Sequence, residues 1–337
     1  MKKRLSTTER TSKEGDVSLI ISSERRKQTL FTGIQSSGDL HIGNYFGALK
    51  PFIDMYEDYD SFLMIADYHA LTSVRDPEVM RKNIYNVVRD YLACGVDPKK
   101  AVLFKQSDNQ DHTEMGWVLN CMVTVPFLMQ AHSYKDKVNK GLEANAGLFT
   151  YPMLMASDIV LYDTDIVPVG EDQRQHLEYT REAVGKFNRA YGETLKEPAE
   201  KIYEDVGIVP GTDGAKMSKS YGNTIPLFGT PEEIKKAVMS IVTDSEGDRP
   251  ENVYAIHRLL RSEEELEPIY KENEGRYGDL KKILLEDLEA FITPMREKRN
   301  SITDAQVKEV LEAGATKARA VSSKTLDTVR NAIGINL

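Results

Sequence analysis

The pentamer Lys216-Met217-Ser218-Lys219-Ser220 sets two lysines three positions apart, with Asp213-Gly214-Ala215 before it and Tyr221-Gly222-Asn223 after it. Two ammonium groups on a loop with glycines on both flanks suit a movable clamp on a polyphosphate, because each brings a point charge and three donors. On its own, such a pentamer is also what a solvated surface loop looks like. A second stretch, Phe31-Thr32-Gly33-Ile34-Gln35-Ser36-Ser37-Gly38-Asp39-Leu40-His41-Ile42-Gly43-Asn44, reads as a strand, a tight loop and the start of a helix. Such a helix start aims backbone N–H groups and the positive end of the dipole at whatever lies above the strand, which makes an anion site. A third, Tyr151-Pro152-Met153-Leu154-Met155-Ala156-Ser157-Asp158-Ile159-Val160-Leu161-Tyr162, puts Tyr151, Met155, Asp158 and Tyr162 on one helix face. Asp158 then stands among apolar neighbours and needs a partner, because an unpaired buried acceptor costs roughly 1–3 kcal/mol. A lone aspartate at such a place is otherwise a surface group. In a fourth, Asp165-Ile166-Val167-Pro168-Val169-Gly170 ends where Glu171-Asp172-Gln173 opens a helix, and acid in a first turn is also ordinary capping.

The elements that carry these residues follow one rhythm. Thr29–Ile34 reads as a buried first strand, and Ile42, Tyr45, Phe46, Leu49, Phe52 and Ile53 mark a helix to about Tyr56. Ser61–Asp67 is a second strand, Pro77 opens a helix closed by Gly95, Val102–Phe104 is a third strand and Asp165–Gly170 a fourth, followed by a helix to Tyr191. The alternation argues an α/β chain with a Rossmann-like, doubly wound parallel sheet, whose ligands sit beyond the carboxyl ends of the strands. No G-x-G-x-x-G follows any of these strands, so the fingerprint of a dinucleotide-binding dehydrogenase is missing. Residues 106–150 break the rhythm with two helix-like runs, Glu114–Val125 and Pro126–Ala131, and then a polar stretch from Ser133 to Gly141. Beyond a Pro231-led helix to Ile241, amphipathic helices are expected at Glu265–Lys271, Lys281–Phe291, Ala305–Ala315 and Thr316–Ile333. The division is a polar tail (1–28), a catalytic unit (29–230) with its insertion at about 106–150, and an all-helical C-terminal domain (231–337). The last helix carries Lys317, Arg319, Lys324 and Arg330 against Asp327, either a solvated face or one that contacts phosphates.

Length and composition set the bounds. A chain of 337 residues has room for two domains, and 40% hydrophobic with 29% charged residues is ordinary for a soluble protein. No apolar run approaches the length of a membrane span, and residues 1–28 lack the apolar block of a secretory signal. Glu9, Glu14, Asp16 and Glu24 argue against an acid-poor transit peptide. Two cysteines, Cys94 and Cys121, exclude a disulfide framework and a four-cysteine metal site, and their apolar contexts suggest buried thiols in a reducing cytoplasm. A net charge of −9 speaks against indiscriminate nucleic-acid binding while leaving room for a local basic face.

Together, the first two stretches resemble the two signatures of the class I aminoacyl-tRNA synthetases, His-Ile-Gly-His and Lys-Met-Ser-Lys-Ser. The second is present letter for letter, and the first ends in Asn44, a departure common in the tryptophanyl branch. Met155-Ala156-Ser157-Asp158-Ile159 is similar to the same branch, whereas the tyrosyl family shows Gln at the Met155 position. The resemblance spans about residues 29 to 335. It implies activation of L-tryptophan by ATP, with a magnesium ion held mainly by the phosphates, and transfer to the 3′ end of tRNA(Trp). It implies catalytic roles for Lys216, Lys219, Lys137 and His41. Around ATP it places Gln35, Ser36, Gly43, Asn44, Gly170, Asp172, Lys216, Met217, Ser218 and Lys219. Around tryptophan it places Phe31, Gly33, Gln35, Tyr151, Met155, Asp158, Val167, Val169 and Gln173, with Asp158 accepting the indole N–H and His176 as a hydrogen-bonding partner behind them. It also implies a homodimer through the 106–150 insertion and an anticodon-binding C-terminal domain. A tyrosyl enzyme, a nucleotidyltransferase of the pantetheine-phosphate type, and a non-aminoacylating RNA-binding paralogue on the same scaffold are the alternatives.

Overall fold

The computed structural model describes residues 26–35, 38–131, 145–170, 174–202, 209–243 and 249–337. Ser36, Lys137, Asp172, Gln173 and the tail as far as residue 25 lie outside the described residues. Five parallel strands, β1 (Thr29–Ile34), β2 (Asp60–Ile65), β3 (Ala101–Lys105), β4 (Ile166–Val169) and β5 (Ala199–Ile202), form one sheet in the order β3-β2-β1-β4-β5. The four expected strands are present. β5 was not expected: its Ala-Glu-Lys-Ile sequence carries two charges in four residues, which suits a sheet edge and hides the strand from an apolar-run reading. The chain builds outward from β1 through β2 to β3, then returns to the other side of β1. The winding therefore reverses between β1 and β4, and a doubly wound sheet opens its ligand crevice there.

Both faces of the sheet are covered. Leu30, Leu63, Ile65 and Leu103 join one core with Ile42, Leu49 and Phe52, while Phe31, Phe62, Met64, Phe104, Val167 and Val169 join the other with Met153, Ala156, Leu177 and Val184. Successive strand residues face opposite ways, so strands buried on both sides read as continuous apolar runs. The helix after β1 is not uniform. It starts as Ile42–Asn44, widens into a π turn over Tyr45–Leu49, and continues as Lys50–Met55. Pro51 has no N–H to donate and its ring crowds the carbonyl one turn back, which favours the wider turn ahead of it.

In the insertion, helices cover Asp111–Asn120 and Val125–Leu128, shorter than expected. The first ends at Asn120, and Pro126 sits in the first turn of the second, where its missing N–H costs no intrahelical bond. Cys94 is buried as expected, but Cys121 is exposed. Its apolar neighbourhood lies on the outside of the molecule, where Trp117 and Val125 are exposed as well.

The C-terminal part holds the helices Pro231–Met239, Glu251–His257, Glu263–Glu272, Tyr277–Ser301 and Asp304–Ala332. The two helices expected over 305–333 are one. Inside it, Gly314 serves a close crossing: a Cβ there would stand 1.8 Å from the carbonyl oxygen of Leu103 in β3. The terminal helix thus covers the β3 edge of the sheet, and its Ala318, Leu326 and Val329 enter the core beneath Phe31 and Phe104. Arg319 donates to the Asp108 carbonyl (2.6 Å) and Arg330 pairs with Glu114 (2.5 Å), so half of the basic set holds the helix down. Lys317 and Lys324 remain exposed. Among the described residues, no helix is long and apolar enough to cross a membrane.

Candidate active site

The fold stitches the two lysine- and histidine-bearing signatures together. The Ile42 N–H donates to the Ile225 carbonyl (3.0 Å) and the Leu227 N–H to the Leu40 carbonyl (2.9 Å), tying the first helix start to the segment behind Lys216–Ser220. His41 and Asn44 cap that helix reciprocally: His41 Nδ1 accepts the Asn44 N–H (3.2 Å) and Asn44 Oδ1 accepts the His41 N–H (3.1 Å). Burial, aided by the Lys219 ammonium, pushes the imidazole of His41 down to about 4. It is therefore neutral near pH 7, and with Nδ1 accepting, its proton sits on Nε2 as a donor. Gly43 is required by closeness, because a Cβ there would stand 2.9 Å from His41 Nδ1 and 3.1 Å from Met217 Cβ.

Met217 is the buried anchor of the second signature, between Lys216 and Lys219, which are exposed along much of their length. Asn223 organises the loop by accepting the Ser218 N–H (2.8 Å) and donating to the Lys216 carbonyl (3.1 Å) and Asp213 (2.7 Å). Gly214 and Gly222, on the two flanks, take left-handed conformations (φ 83° and 66°) that favour glycine. Partial burial lowers the Lys219 pKa against the pull of Asp39 and Asp90. Its ammonium lies beside Gly38, where a Cβ would be 3.4 Å away. Gly170 is exposed immediately after β4.

Beside this lies a cavity of about 400 Å³ at the β1/β4 reversal. Phe31, Gly33, Gln35, Tyr151, Met155, Asp158, Val167 and Val169 all line it, together with Met64, His69, Thr72 and His176. Asp158 is 1% exposed. Its Oδ1 accepts from Gln106 Nε2 and His112 Nδ1, and its Oδ2 from His69 Nε2, all at 2.7 Å. Burial works against the charge, but the hydrogen bonds from His112 and His69 outweigh it and hold the carboxyl below its usual range. The cavity thus ends in an ionised, acceptor-only group. Tyr151 Oη and His176 Nε2 are 2.6 Å apart, so His176 is the expected hydrogen-bonding partner, but it lines the cavity itself rather than standing behind the ring of residues.

His69, Gln106 and His112 were not singled out beforehand. His69 and Gln106 follow β2 and β3 directly, so the rule that ligands gather beyond strand ends points to them. Tyr162, expected on the Asp158 face, lies behind the cavity, where it stacks on Phe62 (4.7 Å) and contacts His112.

A sequence model of the family described as tRNA synthetases class I (W and Y) matches residues 23–323. The tryptophan–tRNA ligase of Fusobacterium nucleatum is 47% identical over 315 residues, covering 90% of this chain and 97% of the relative. That of Rhodopirellula baltica is 44% identical, covering 91% and 99%. The crystal structure of tryptophanyl-tRNA synthetase from Campylobacter jejuni with ADP and tryptophan superposes with a TM-score of 0.87 at 42% identity, covering 91% of this chain and all of that one. The signatures, the sheet order and these similarities agree: the chain belongs to the class I tRNA synthetases of tryptophan and tyrosine, in their tryptophanyl branch.

Proposed function

We propose that this chain activates L-tryptophan with ATP and transfers the tryptophanyl group to the 3′ end of tRNA(Trp). The observation that carries the reading is Asp158, an ionised acceptor at the end of an apolar cavity that opens beside a phosphate-facing helix start. The indole lies among Phe31, Gly33, Met155, Val167 and Val169, with its N–H on Asp158 Oδ2. Gln35, Tyr151 and Gln173 take the amino acid's polar end. ATP is held by Gln35, Ser36, Gly43, Asn44, Gly170, Asp172, Met217 and Ser218, and its magnesium ion mainly by the phosphates. The C. jejuni relative with ADP and tryptophan supports the same pair of occupants.

The substrate carboxylate attacks the α-phosphorus in line, forming the mixed anhydride as the bond to pyrophosphate breaks. The substrate is its own nucleophile, so the protein supplies position and charge. The Nε2–H of His41 and the amide of Asn44 meet the phosphates as neutral donors. Lys216, Lys219 and Lys137 follow the leaving pyrophosphate as its charge grows. The tRNA 3′-hydroxyl then attacks the acyl carbon and releases AMP. An acceptor-only pocket end discriminates by polar complementarity, which rejects poorly matched side chains more strongly than shape alone.

In this reading residues 29–230 are the catalytic unit and 231–337 the anticodon-binding part. Two chains pair through the 106–150 insertion, where Trp117 (71%), Val125 (60%) and Met129 (55%) expose apolar surface typical of an interface. The work of charging tRNA places the protein in the cytoplasm. The test is charging of a tRNA(Trp) transcript with labelled tryptophan. Acid-precipitable tryptophanyl-tRNA is expected. Binding of the transcript with no charging would hand the scaffold to an RNA-binding role.

A further inference from the structure

Behind the cavity, a buried hydrogen-bond chain runs from Asp158 to the terminal helix. Asn109, His112 and Ser322 are 0% exposed and Tyr162 is 1% exposed. Polar groups this deep are costly unless each finds a partner, so their pattern has one consistent direction. The Asp111 N–H faces Asn109 Oδ1 (3.3 Å), and a backbone N–H only donates, which fixes the amide orientation. Asn109 Nδ2 then donates to Tyr162 Oη (3.1 Å) and Ser322 Oγ (2.8 Å). Asp158 Oδ1 only accepts, so His112 Nδ1 carries the proton that points at it (2.7 Å), and Tyr162 Oη gives its own hydrogen to His112 Nε2 (2.8 Å). Ser322 passes its hydrogen to Asp111 Oδ2 (2.5 Å).

We propose that His112, Tyr162, Asn109 and Ser322 are positioning residues: their chain holds the His112 ring with its Nδ1–H on Asp158, so that His112 and Gln106 saturate Asp158 Oδ1 and leave Oδ2 to His69 and the substrate. The proposal rests on the reading of Asp158 as the acceptor of the indole N–H. None of the four touches the cavity, yet the chain sets which edge of the carboxylate the ligand meets. If the Tyr162 hydroxyl is absent, His112 Nε2 becomes a buried acceptor without its donor and the ring loses one of its two anchors. The imidazole can then turn, and the carboxylate loses its fixed orientation. Through Ser322, the terminal helix becomes part of the pocket's support. This gives the helix's return onto the sheet a role beyond burial.

The test compares kcat/KM in ATP–pyrophosphate exchange for tryptophan and for β-(3-benzothienyl)alanine, in which sulfur replaces the ring N–H at nearly the same shape. The wild-type protein is expected to prefer tryptophan by roughly 10- to 100-fold, the worth of one hydrogen bond to a charged group. Tyr162→Phe should lower that preference about tenfold and Ser322→Ala about threefold, as expected for one neutral hydrogen bond lost nearer to or farther from Asp158. His112→Leu should abolish the preference. His112→Asn, whose amide N–H reaches the Nδ1 position, should restore most of it. A general loss of packing would lower both substrates together, and an unchanged ratio in all these variants overturns the proposal. If Tyr162→Phe fails to fold, Ser322→Ala decides by the same ratio. A wild-type protein without preference would instead overturn the Asp158 reading, and the relay with it.

Discussion

Replacing Asp158 by Asn keeps the shape of the side chain and removes half of its accepting power. The new amide nitrogen must take one of two places. At the Oδ1 site it would face two donors, Gln106 Nε2 and His112 Nδ1, each at 2.7 Å; at the Oδ2 site it faces one, His69 Nε2. The second place is the better one, since His69 can turn acceptor by moving its proton to the other ring nitrogen. The nitrogen then points N–H groups at the cavity, where the indole N–H arrives as another donor. A hydrogen bond to a charged group is worth about 1.5–3 kcal/mol, and a buried donor left unsatisfied costs about 1–3 kcal/mol more. The sum, about 2.5–6 kcal/mol, weakens tryptophan binding roughly 10²- to 10⁴-fold. Isothermal titration of tryptophan into wild-type and Asp158→Asn protein measures it, with thermal unfolding as the check on the fold. Tryptophan affinity within about threefold of wild type would refute the reasoning, because so small a change is less than one lost hydrogen bond.

Three further outcomes follow from the geometry. Lys219→Ala should slow pyrophosphate exchange by orders of magnitude and leave the tryptophan dissociation constant nearly intact, as expected for a group that acts on developing charge; equal losses in both would contradict that role. Gly314→Ala puts a Cβ 1.8 Å from the Leu103 carbonyl oxygen, so the terminal helix must lift from β3, and urea unfolding should show a loss of about 3 kcal/mol. An unchanged midpoint would mean the crossing is not close. Burial, opposed by Arg299, raises Asp90 to about 6 from 3.8, and its Oδ2 finds no hydrogen-bond partner among the described residues. The native state therefore holds a proton that the unfolded state has released, and Asp90 costs stability as pH rises through that window, by roughly 3 kcal/mol. His41, lowered from 6.5 to about 4, acts with the opposite sign, since acidification protonates its unfolded form first. The comparison is therefore between wild type and Asp90→Asn, whose urea stability between pH 4 and 6 should fall less as pH rises; identical slopes would contradict the assignment.

Much of the sheet was legible because its strands, buried on both sides, are continuous apolar runs set between glycines and helix caps. Pro77 and Gly95 show how clearly one helix was delimited: the helix runs from Pro77 to Cys94 and the glycine takes the left-handed end, while the structure adds a cap in which the Asp76 side chain accepts from the Glu78 and Val79 N–H groups. β5 was hidden because an edge strand with Glu200 and Lys201 lacks that signal. The close crossing at Gly314 was not legible for a physical reason, since only the neighbour across the gap, Leu103 in β3, shows what a glycine within a helical pattern is for. Cys121 misled, because apolar neighbours in sequence do not say which side of the molecule they face.

In the site, Asp158 stood out as an acid among apolar residues. Its donors His69, Gln106 and His112 come from three other places in the chain, and only the parallel topology gathers them. The reciprocal cap of His41 and Asn44 shows what local spacing can specify unaided: two residues three apart complete a helix start and fix a tautomer.

The measurement that tests the central claim most directly is ATP–pyrophosphate exchange by the purified protein, with tryptophan and tyrosine supplied separately. Rapid exchange with tryptophan and background exchange with tyrosine is the predicted result. Exchange with tyrosine at comparable kcat/KM, or with neither amino acid, would contradict it.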